Sequence, residues 1–304
     1  MDAGSSSAAP YIYRGDSSRR GWETDVTTHD HQTARRLRVA AAQMDIRLGD
    51  IDANLERARR FVVDASEQRA ELVLLPELWS TGYDLEHAPA HAARNEAAVL
   101  PALASLAERH DIGIAGSLLL GDGAGRVRNT AVVHGRDGSV IGEYAKIHLF
   151  ALMAENHYLA AGDAAPTFSL PGCTAATAIC YDLRFPELFR SYALDGARVV
   201  LLPAEWPAVR VAHWRTLVCA RAIENQFFVV ACNRAGTSGS TTFAGHSMIV
   251  DPWGKVLAEA GDGECLLVET LELGRVDEAR SQIDILGDRR ADLYGANFQL
   301  ANHR

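Results

Sequence analysis

Residues 175–180 read AATAIC, and residues 181–188 continue as YDLRFPEL. The first segment is an apolar run of the length of a buried strand, and the second is predicted to turn into a helix. Cys180 therefore stands at a strand-to-helix corner, where a thiol can be exposed beside backbone N–H donors. A single cysteine is more often an inert core residue, and we interpret the other cysteines in that way: Cys173, Cys219, Cys232 and Cys265.

Strand and helix patterns alternate outward from this corner over most of the chain. Short aliphatic runs are separated by longer segments whose apolar residues recur every three or four positions, which indicates an α/β fold. One such segment starts at Ile51 after a possible Asp50 cap, another covers 101–110, and a third contains Trp214 and Ala222. The predicted strands are 38–44, 72–75, 112–118, 129–133, 140–144, 175–180, 199–203, 227–232, 247–250 and 266–268.

Residues 1–36 differ from the rest of the chain because they are rich in small, polar and charged residues without apolar periodicity. They are predicted to form a flexible tail ahead of one domain over 37–304, although two domains remain possible on length alone. Acidic residues in this tail balance its arginines, which argues against an organelle transit peptide.

The composition is that of an ordinary globular protein, with 48% hydrophobic residues, 23% charged residues and a formal net charge of -9. The sequence contains no recognisable cluster of basic residues on one face, so we expect no nucleic-acid partner. No apolar run approaches the roughly 18 to 20 residues that cross a bilayer, so we expect no membrane segment. The 5 cysteines lack a Cys-x-x-Cys pair, which suits the cytoplasm, and no spacing matches zinc, so no metal or cofactor is expected.

Two charged residues also follow predicted strands and could act on Cys180. Glu77 comes after the buried run at 72–75, and Lys146 follows the strand at 140–144. A carboxylate base can take the thiol proton, while a nearby ammonium stabilises the thiolate and a later oxyanion. Composition leaves Cys-His chemistry open, because His148 and His157 are close in sequence to Lys146.

Ordered sequence blocks around these residues resemble the signatures of the nitrilase superfamily of carbon–nitrogen hydrolases. The blocks are LPELW at 75–79, YAKIHLF at 144–150 and ICYDLRFPEL at 179–188, with supporting matches from Arg38 to about Gly274. The resemblance implies a four-layer α-β-β-α sandwich and a hydrolase that acts through a thioester. It assigns the general base to Glu77, the oxyanion-stabilising ammonium to Lys146 and the nucleophile to Cys180.

Further roles are implied by the same resemblance. Glu155 falls where the family has a second glutamate that orients the lysine or the substrate, and the Tyr181 backbone N–H is expected to share the oxyanion with Lys146. The family also implies a homodimer or a larger homo-oligomer.

The residues after Cys180 favour the amidase branches, because nitrilases proper usually continue with Trp-Glu and this chain has Tyr181-Asp182. The run at 148–162 is most similar to bacterial omega-amidases, which hydrolyse 2-oxo-acid amides such as 2-oxoglutaramate. Such a substrate ends in a carboxylate, and Arg184 could bind it through a bidentate contact. Arg184 could equally brace its loop through Glu187.

Several other functions remain open from the sequence. Within the family these are a nitrilase and a general aliphatic or N-carbamoyl amidase. A non-catalytic scaffold homologue and a soluble acyltransferase that passes the acyl group to an amine are alternatives of another class. The predicted partner in the favoured interpretation is a small-molecule amide.

Overall fold

Two six-stranded sheets form the centre of the protein, in a computed structural model that describes residues 35–294. The predicted N-terminal tail lies outside the described residues apart from its last two, and Arg36 is already part of the first strand. No helix in the described range is long and apolar enough to cross a membrane.

The first sheet has parallel strands at its centre and antiparallel strands on both sides. Its order is β14-β1-β2-β3-β4-β5, with β1, β2 and β3 parallel. These strands are β1 (Arg36–Gln43), β2 (Leu72–Leu74), β3 (Gly113–Gly121), β4 (Val127–His134), β5 (Val140–Ala145) and β14 (Cys265–Glu272).

The second sheet repeats this arrangement in the order β13-β12-β9-β8-β7-β6, with β7, β8 and β9 parallel. A separate two-stranded ribbon, β10 (Thr237–Ser238) and β11 (Thr241–Thr242), precedes β12. The strands of the second sheet are β6 (Thr167–Leu170), β7 (Cys173–Thr177), β8 (Val199–Ala204), β9 (Phe228–Asn233), β12 (Met248–Val250) and β13 (Val256–Glu259).

Helices cover the outer face of each sheet, which gives four layers. Every residue of β8 is buried, because Val199 and Leu201 point between the two sheets while Val200 and Leu202 pack against the helices. Helices α1 and α3 cover the first sheet, and α5 and α6 cover the second. The helices are α1 (Ile51–Glu67), α2 (Ala88–Arg94), α3 (Leu100–His110), α4 (Glu155–Tyr158), α5 (Pro186–Leu194), α6 (Val211–Asn225), α7 (Gly274–Gln282) and α8 (Ala291–Tyr294).

The α-β-β-α sandwich expected from the family resemblance is therefore confirmed. The predicted cap is present as well, since the Asp50 side chain accepts a hydrogen bond from the Ala53 amide at the start of α1. One element differs from the prediction around Cys180. Strand β7 ends at Thr177, and Cys180–Arg184 form a 3-10 turn before α5, so Cys180 lies in the turn rather than at the strand end.

Candidate active site

A buried lysine joins two buried glutamates at the centre of the site. The Lys146 Nζ atom lies 2.7 Å from Glu77 Oε1 and 2.7 Å from Glu155 Oε1. All three side chains are shielded from solvent, with Glu77 and Glu155 fully buried. Glu77 follows β2, Lys146 follows β5 directly, and Glu155 begins α4. The fold thus brings Glu77 to a lysine and a glutamate that follow it by 69 and 78 residues in the sequence.

Cys180 completes this group from the second sheet. Its turn has a left-handed backbone, with φ of 44° at Cys180, a conformation that costs energy for a residue with a side chain. Such strain is found mainly where a reactive group has to be held in one position. Cys180 is buried, with 6% of the residue's surface exposed, and it lines a small pocket.

The electrostatics keep the thiol protonated until a base acts. Burial raises the pKa of Cys180 well above its usual value, the negative charge of Glu77 raises it further, and Lys146 only partly opposes them. Burial alone would lower the pKa of Lys146, but the charges of Glu155 and Glu77 outweigh it and raise that pKa, so the amine stays an ammonium. The site therefore combines a protonated nucleophile, a neighbouring carboxylate and a fixed positive charge.

Tyr83 belongs to the same group, although sequence reasoning missed it. Its hydroxyl lies 2.9 Å from Glu77 Oε1 and 2.9 Å from Glu155 Oε1. Burial and the charges of Glu155 and Glu77 raise the pKa of Tyr83, so the hydroxyl keeps its proton and donates it to one carboxylate. The single hydroxyl proton of Tyr83 can therefore be donated to either of the two carboxylates, but only to one at a time. The only sequence signal was its position six residues after Glu77.

Neighbouring polar groups fix the orientation of the two glutamates. The Asn129 side chain donates to Glu77 Oε1 at 2.8 Å, and the Glu205 amide donates to Glu77 Oε2 at 2.9 Å. The Phe150 amide donates to Glu155 Oε2 at 2.6 Å. Each carboxylate therefore has one oxygen that contacts Lys146 and one that is held by the backbone.

Asp182 connects the Cys180 turn to the segment that carries Lys146. Its carboxylate accepts hydrogen bonds from the Ile179 amide at 2.9 Å and the Tyr144 hydroxyl at 2.8 Å, and it contacts His148 Nδ1 at 2.8 Å. His148 is thus engaged with Asp182, and its ring stacks on Phe185 at 3.6 Å between centroids. His157, the other histidine considered as a base, lies exposed on α4.

Tyr181 and Arg184 line a narrow pocket that ends at Cys180. The Tyr181 ring packs against Phe150, with centroids 4.7 Å apart. The Arg184 guanidinium lies over the Trp206 ring, 4.7 Å from its centroid. Within the described structure Arg184 makes no ion pair with Glu187, the acid through which it could have braced its loop instead of binding a substrate.

A second polar cluster lies close to Tyr83 in sequence but does not line this pocket. His87 Nδ1 contacts Asp84 Oδ1 at 2.9 Å, and His91 Nε2 contacts Asp84 Oδ2 at 2.7 Å. Direct contacts occupy both carboxylate oxygens, so we interpret the three residues as a hydrogen-bonded network at the start of α2. Their spacing in the sequence did not predict that they meet.

Comparison with known proteins agrees with this geometry. The family model described as "Carbon-nitrogen hydrolase" matches residues 38–281, a range that contains every residue of the buried cluster and Cys180. The chain belongs to the carbon–nitrogen hydrolase family. In this carbon–nitrogen hydrolase, the matched range covers both sheets, apart from the first two residues of β1, and the helices α1 to α6.

Curated relatives of this carbon–nitrogen hydrolase include amidases. A 2-oxoglutaramate amidase of Bacillus subtilis (strain 168) is 41% identical over 257 residues, which cover 84% of this chain and 98% of the relative. The omega-amidase NIT2 of Mus musculus is 36% identical, over 85% of this chain and 96% of the relative.

Two solved structures that are similar to this chain are also of amidases. The NitN amidase from Neterenkonia sp. AN1 matches with a TM-score of 0.77 at 32% identity, over 85% of this chain and 98% of that chain. A mutant of the Nesterenkonia sp. AN1 amidase, with a TM-score of 0.77 and 31% identity over 85% of this chain and 95% of that one, carries the acetamide moiety of fluoroacetamide on its active-site cysteine. This carbon–nitrogen hydrolase is an amide-hydrolysing enzyme.

Replacing Tyr83 with Phe tests whether the shared hydroxyl supports catalysis. The change removes one hydrogen bond to a charged carboxylate, so we expect kcat to fall about 10- to 100-fold with little change in KM. Ammonia release from a small amide measures both constants. Tyr158→Phe, at an exposed tyrosine on α4, is the matched control and should behave like the wild type. A wild-type kcat in Tyr83→Phe would show that the hydroxyl contributes only to packing.

Proposed function

We propose that Cys180, Glu77 and Lys146 hydrolyse the terminal amide of a small 2-oxo acid, such as 2-oxoglutaramate, and that Glu155 orients Lys146. The observation that carries the proposal is the Lys146 ammonium, held at 2.7 Å from each of two buried carboxylates. This arrangement places a base and a fixed positive charge beside a buried thiol.

In the first step the Cys180 sulfur attacks the amide carbon while Glu77 takes the thiol proton. The carbonyl oxygen becomes an oxyanion, which the Lys146 ammonium and the Tyr181 backbone N–H stabilise. Glu77 then gives the proton to the amide nitrogen, the carbon–nitrogen bond breaks, and ammonia leaves. The product of this step is a thioester on Cys180.

In the second step water replaces ammonia. Glu77 removes a proton from the water molecule, whose oxygen attacks the thioester carbon, and the same oxyanion contacts form again. The carbon–sulfur bond then breaks, the sulfur recovers a proton from Glu77, and the carboxylic acid is released. The enzyme returns to its starting state, and no group from outside the chain is consumed except water.

The choice of a small, acidic amide rests on the pocket and on the relatives. The pocket is small, and the rings of Phe150, Tyr181 and Trp206 line it together with Cys180, which favours a short acyl chain. Arg184 reaches this pocket and can bind a carboxylate at the far end of such a chain. The 2-oxoglutaramate amidase and the omega-amidase among the relatives support the same substrate class.

Alkylation of Cys180 tests the role of Glu77 without any substrate. Burial keeps the thiol protonated, so its reaction with iodoacetamide needs a base that takes the proton. Glu77→Gln removes that base and should slow the reaction at neutral pH by about 100-fold, the lower end of the contribution of a general base, which outweighs the lower thiol pKa expected once the negative charge of Glu77 is lost. Mass spectrometry of the peptide containing Cys180 measures the rate. Glu187→Gln, at an exposed acid on α5, is the control. An equal rate in Glu77→Gln and the wild type would rule out Glu77 as the base.

A substrate panel tests the proposed specificity. Ammonia release should be fastest from 2-oxoglutaramate, compared with glutamine, butyramide and simple nitriles. Replacing Arg184 with Leu should raise KM for 2-oxoglutaramate about 10- to 100-fold and affect butyramide much less, because only the anionic amide loses a charged contact. Equal effects on both amides would exclude a contact between Arg184 and the substrate carboxylate. A preference for nitriles would assign the enzyme to another branch of the family.

We also propose that the enzyme is cytoplasmic and forms a homodimer or a larger homo-oligomer. The reduced state expected for its cysteines and the resemblance to the family support these two statements. Light scattering after size exclusion should give at least twice the chain mass of 32.9 kDa. A single species at the mass of one chain would contradict the homo-oligomer.

A further inference from the structure

Two arginines reach the pocket that ends at Cys180, whereas the sequence pointed only to Arg184. The second is Arg210, at the residue that precedes α6. The pocket is otherwise formed by aromatic rings, a proline and the buried Glu205. Its lining residues are Phe150, Cys180, Tyr181, Arg184, Glu205, Trp206, Pro207 and Arg210.

Contacts with the pocket wall hold Arg210 in place. Its carbonyl oxygen accepts a hydrogen bond from Trp206 Nε1 at 2.8 Å, and its amide donates to the Pro207 carbonyl at 3.0 Å. Its guanidinium lies over the Phe150 ring, 5.6 Å from the centroid. Arg184 lies over the ring of Trp206, so one aromatic residue contacts both arginines.

Neither arginine has an anionic partner. Within residues 35–294, no carboxylate oxygen lies within 4.0 Å of the Arg184 or Arg210 guanidinium, whereas buried Arg234 pairs with Glu205 at 2.9 Å. The nearest polar contact of Arg184 is His213 Nδ1 at 3.5 Å, in the first turn of α6. The N-terminus of α6 adds further positive potential at this point. Among the described residues that line this pocket, the guanidinium groups of Arg184 and Arg210 are therefore unpaired, whereas the Glu205 carboxylate is paired with Arg234.

We infer that Arg210 is a second specificity residue, which binds the 2-oxo-carboxylate end of the substrate together with Arg184 and discriminates against a 2-amino group. This inference rests on the proposed function. A 2-oxo acid offers three neighbouring acceptor oxygens, two on the carboxylate and one on the oxo group. Two guanidinium groups supply enough donors for all three.

The same pair of charges disfavours an amino acid amide. Glutamine differs from 2-oxoglutaramate by an ammonium group in place of the oxo group. That ammonium would lie beside Arg184 and Arg210, where like charges repel, and the Glu205 carboxylate of the same pocket is already paired with Arg234. Discrimination between the two amides therefore comes from the arginines, at the opposite end of the substrate from Cys180.

The test compares four amides in Arg210→Leu, Arg210→Lys and the wild type: 2-oxoglutaramate, glutaramate without the oxo group, glutamine and butyramide. Arg210→Leu should raise KM for 2-oxoglutaramate about 10- to 100-fold, at least tenfold more than for butyramide, and change kcat much less. The preference for 2-oxoglutaramate over glutamine should narrow by about tenfold. Arg210→Lys keeps the charge without the planar fork and should fall in between.

Arg215→Leu is the matched control, because Arg215 lies in the first turns of α6, which Arg210 precedes, pairs with Glu259 and does not line the pocket. Equal losses for 2-oxoglutaramate and butyramide in Arg210→Leu, or no loss for either, would overturn the inference. If Arg210→Leu does not fold, Arg210→Lys is compared with the wild type instead. Equal losses for 2-oxoglutaramate and butyramide, or no loss for either, would again overturn the inference.

A wrong proposed function would be recognised from the substrate preference of the wild type, whereas a wrong role of Arg210 would be recognised from the variants. If the wild type prefers glutaramate to 2-oxoglutaramate, the proposed substrate is wrong, while the effect of Arg210→Leu on glutaramate against butyramide still tests the carboxylate contact. If the wild type prefers butyramide to all three amides that carry a carboxylate, both proposals are wrong.

Discussion

The buried ammonium of Lys146 is the constraint on which the rest of the site depends. An isolated charge in a protein interior is strongly unfavourable, and here two carboxylates at 2.7 Å compensate it. Two carboxylates around one ammonium leave an excess negative charge. Burial raises the pKa of Glu155, Lys146 opposes the rise, and the charge of Glu77 adds to it. Removing Lys146 would leave the two buried carboxylates without a compensating charge, and breaking a buried pair in this way typically costs about 3–5 kcal/mol.

The double-sheet fold makes this cluster possible. Parallel strands at the centre of both sheets end at the same side of the molecule, as ligand sites in α/β proteins usually require. Glu77 follows a strand of the first sheet, whereas Cys180 and Glu205 follow strands of the second. The Glu205 amide donates to Glu77 across the two sheets at 2.9 Å, so the base is fixed by the sheet that carries the nucleophile. The contacts that pack the two sheets together therefore also align the reacting groups.

The family and the reacting residues could be predicted from the sequence because they depend on local patterns. The apolar runs, the Asp50 cap and the ordered blocks around Glu77, Lys146 and Cys180 are all continuous in the chain. Element bounds were less accurate near the site. The apolar run to Cys180 suggested a strand to its end, but the chain leaves β7 at Thr177 and turns so that the thiol faces Glu77. A periodicity argument cannot detect such a turn, since the turn depends on contacts with the other sheet.

The sequence by itself determined the α/β class, the family and the identity of a thiol, a carboxylate and an amine. Only the tertiary structure decided which further side chains lie next to these three groups. Tyr83 meets both glutamates, Asp182 joins two loops, and Arg210 faces the same pocket as Arg184. None of these contacts has a characteristic spacing in the chain. The physical reason is that burial, charge compensation and pocket shape arise between segments distant in sequence, whereas strand and helix patterns arise from neighbours.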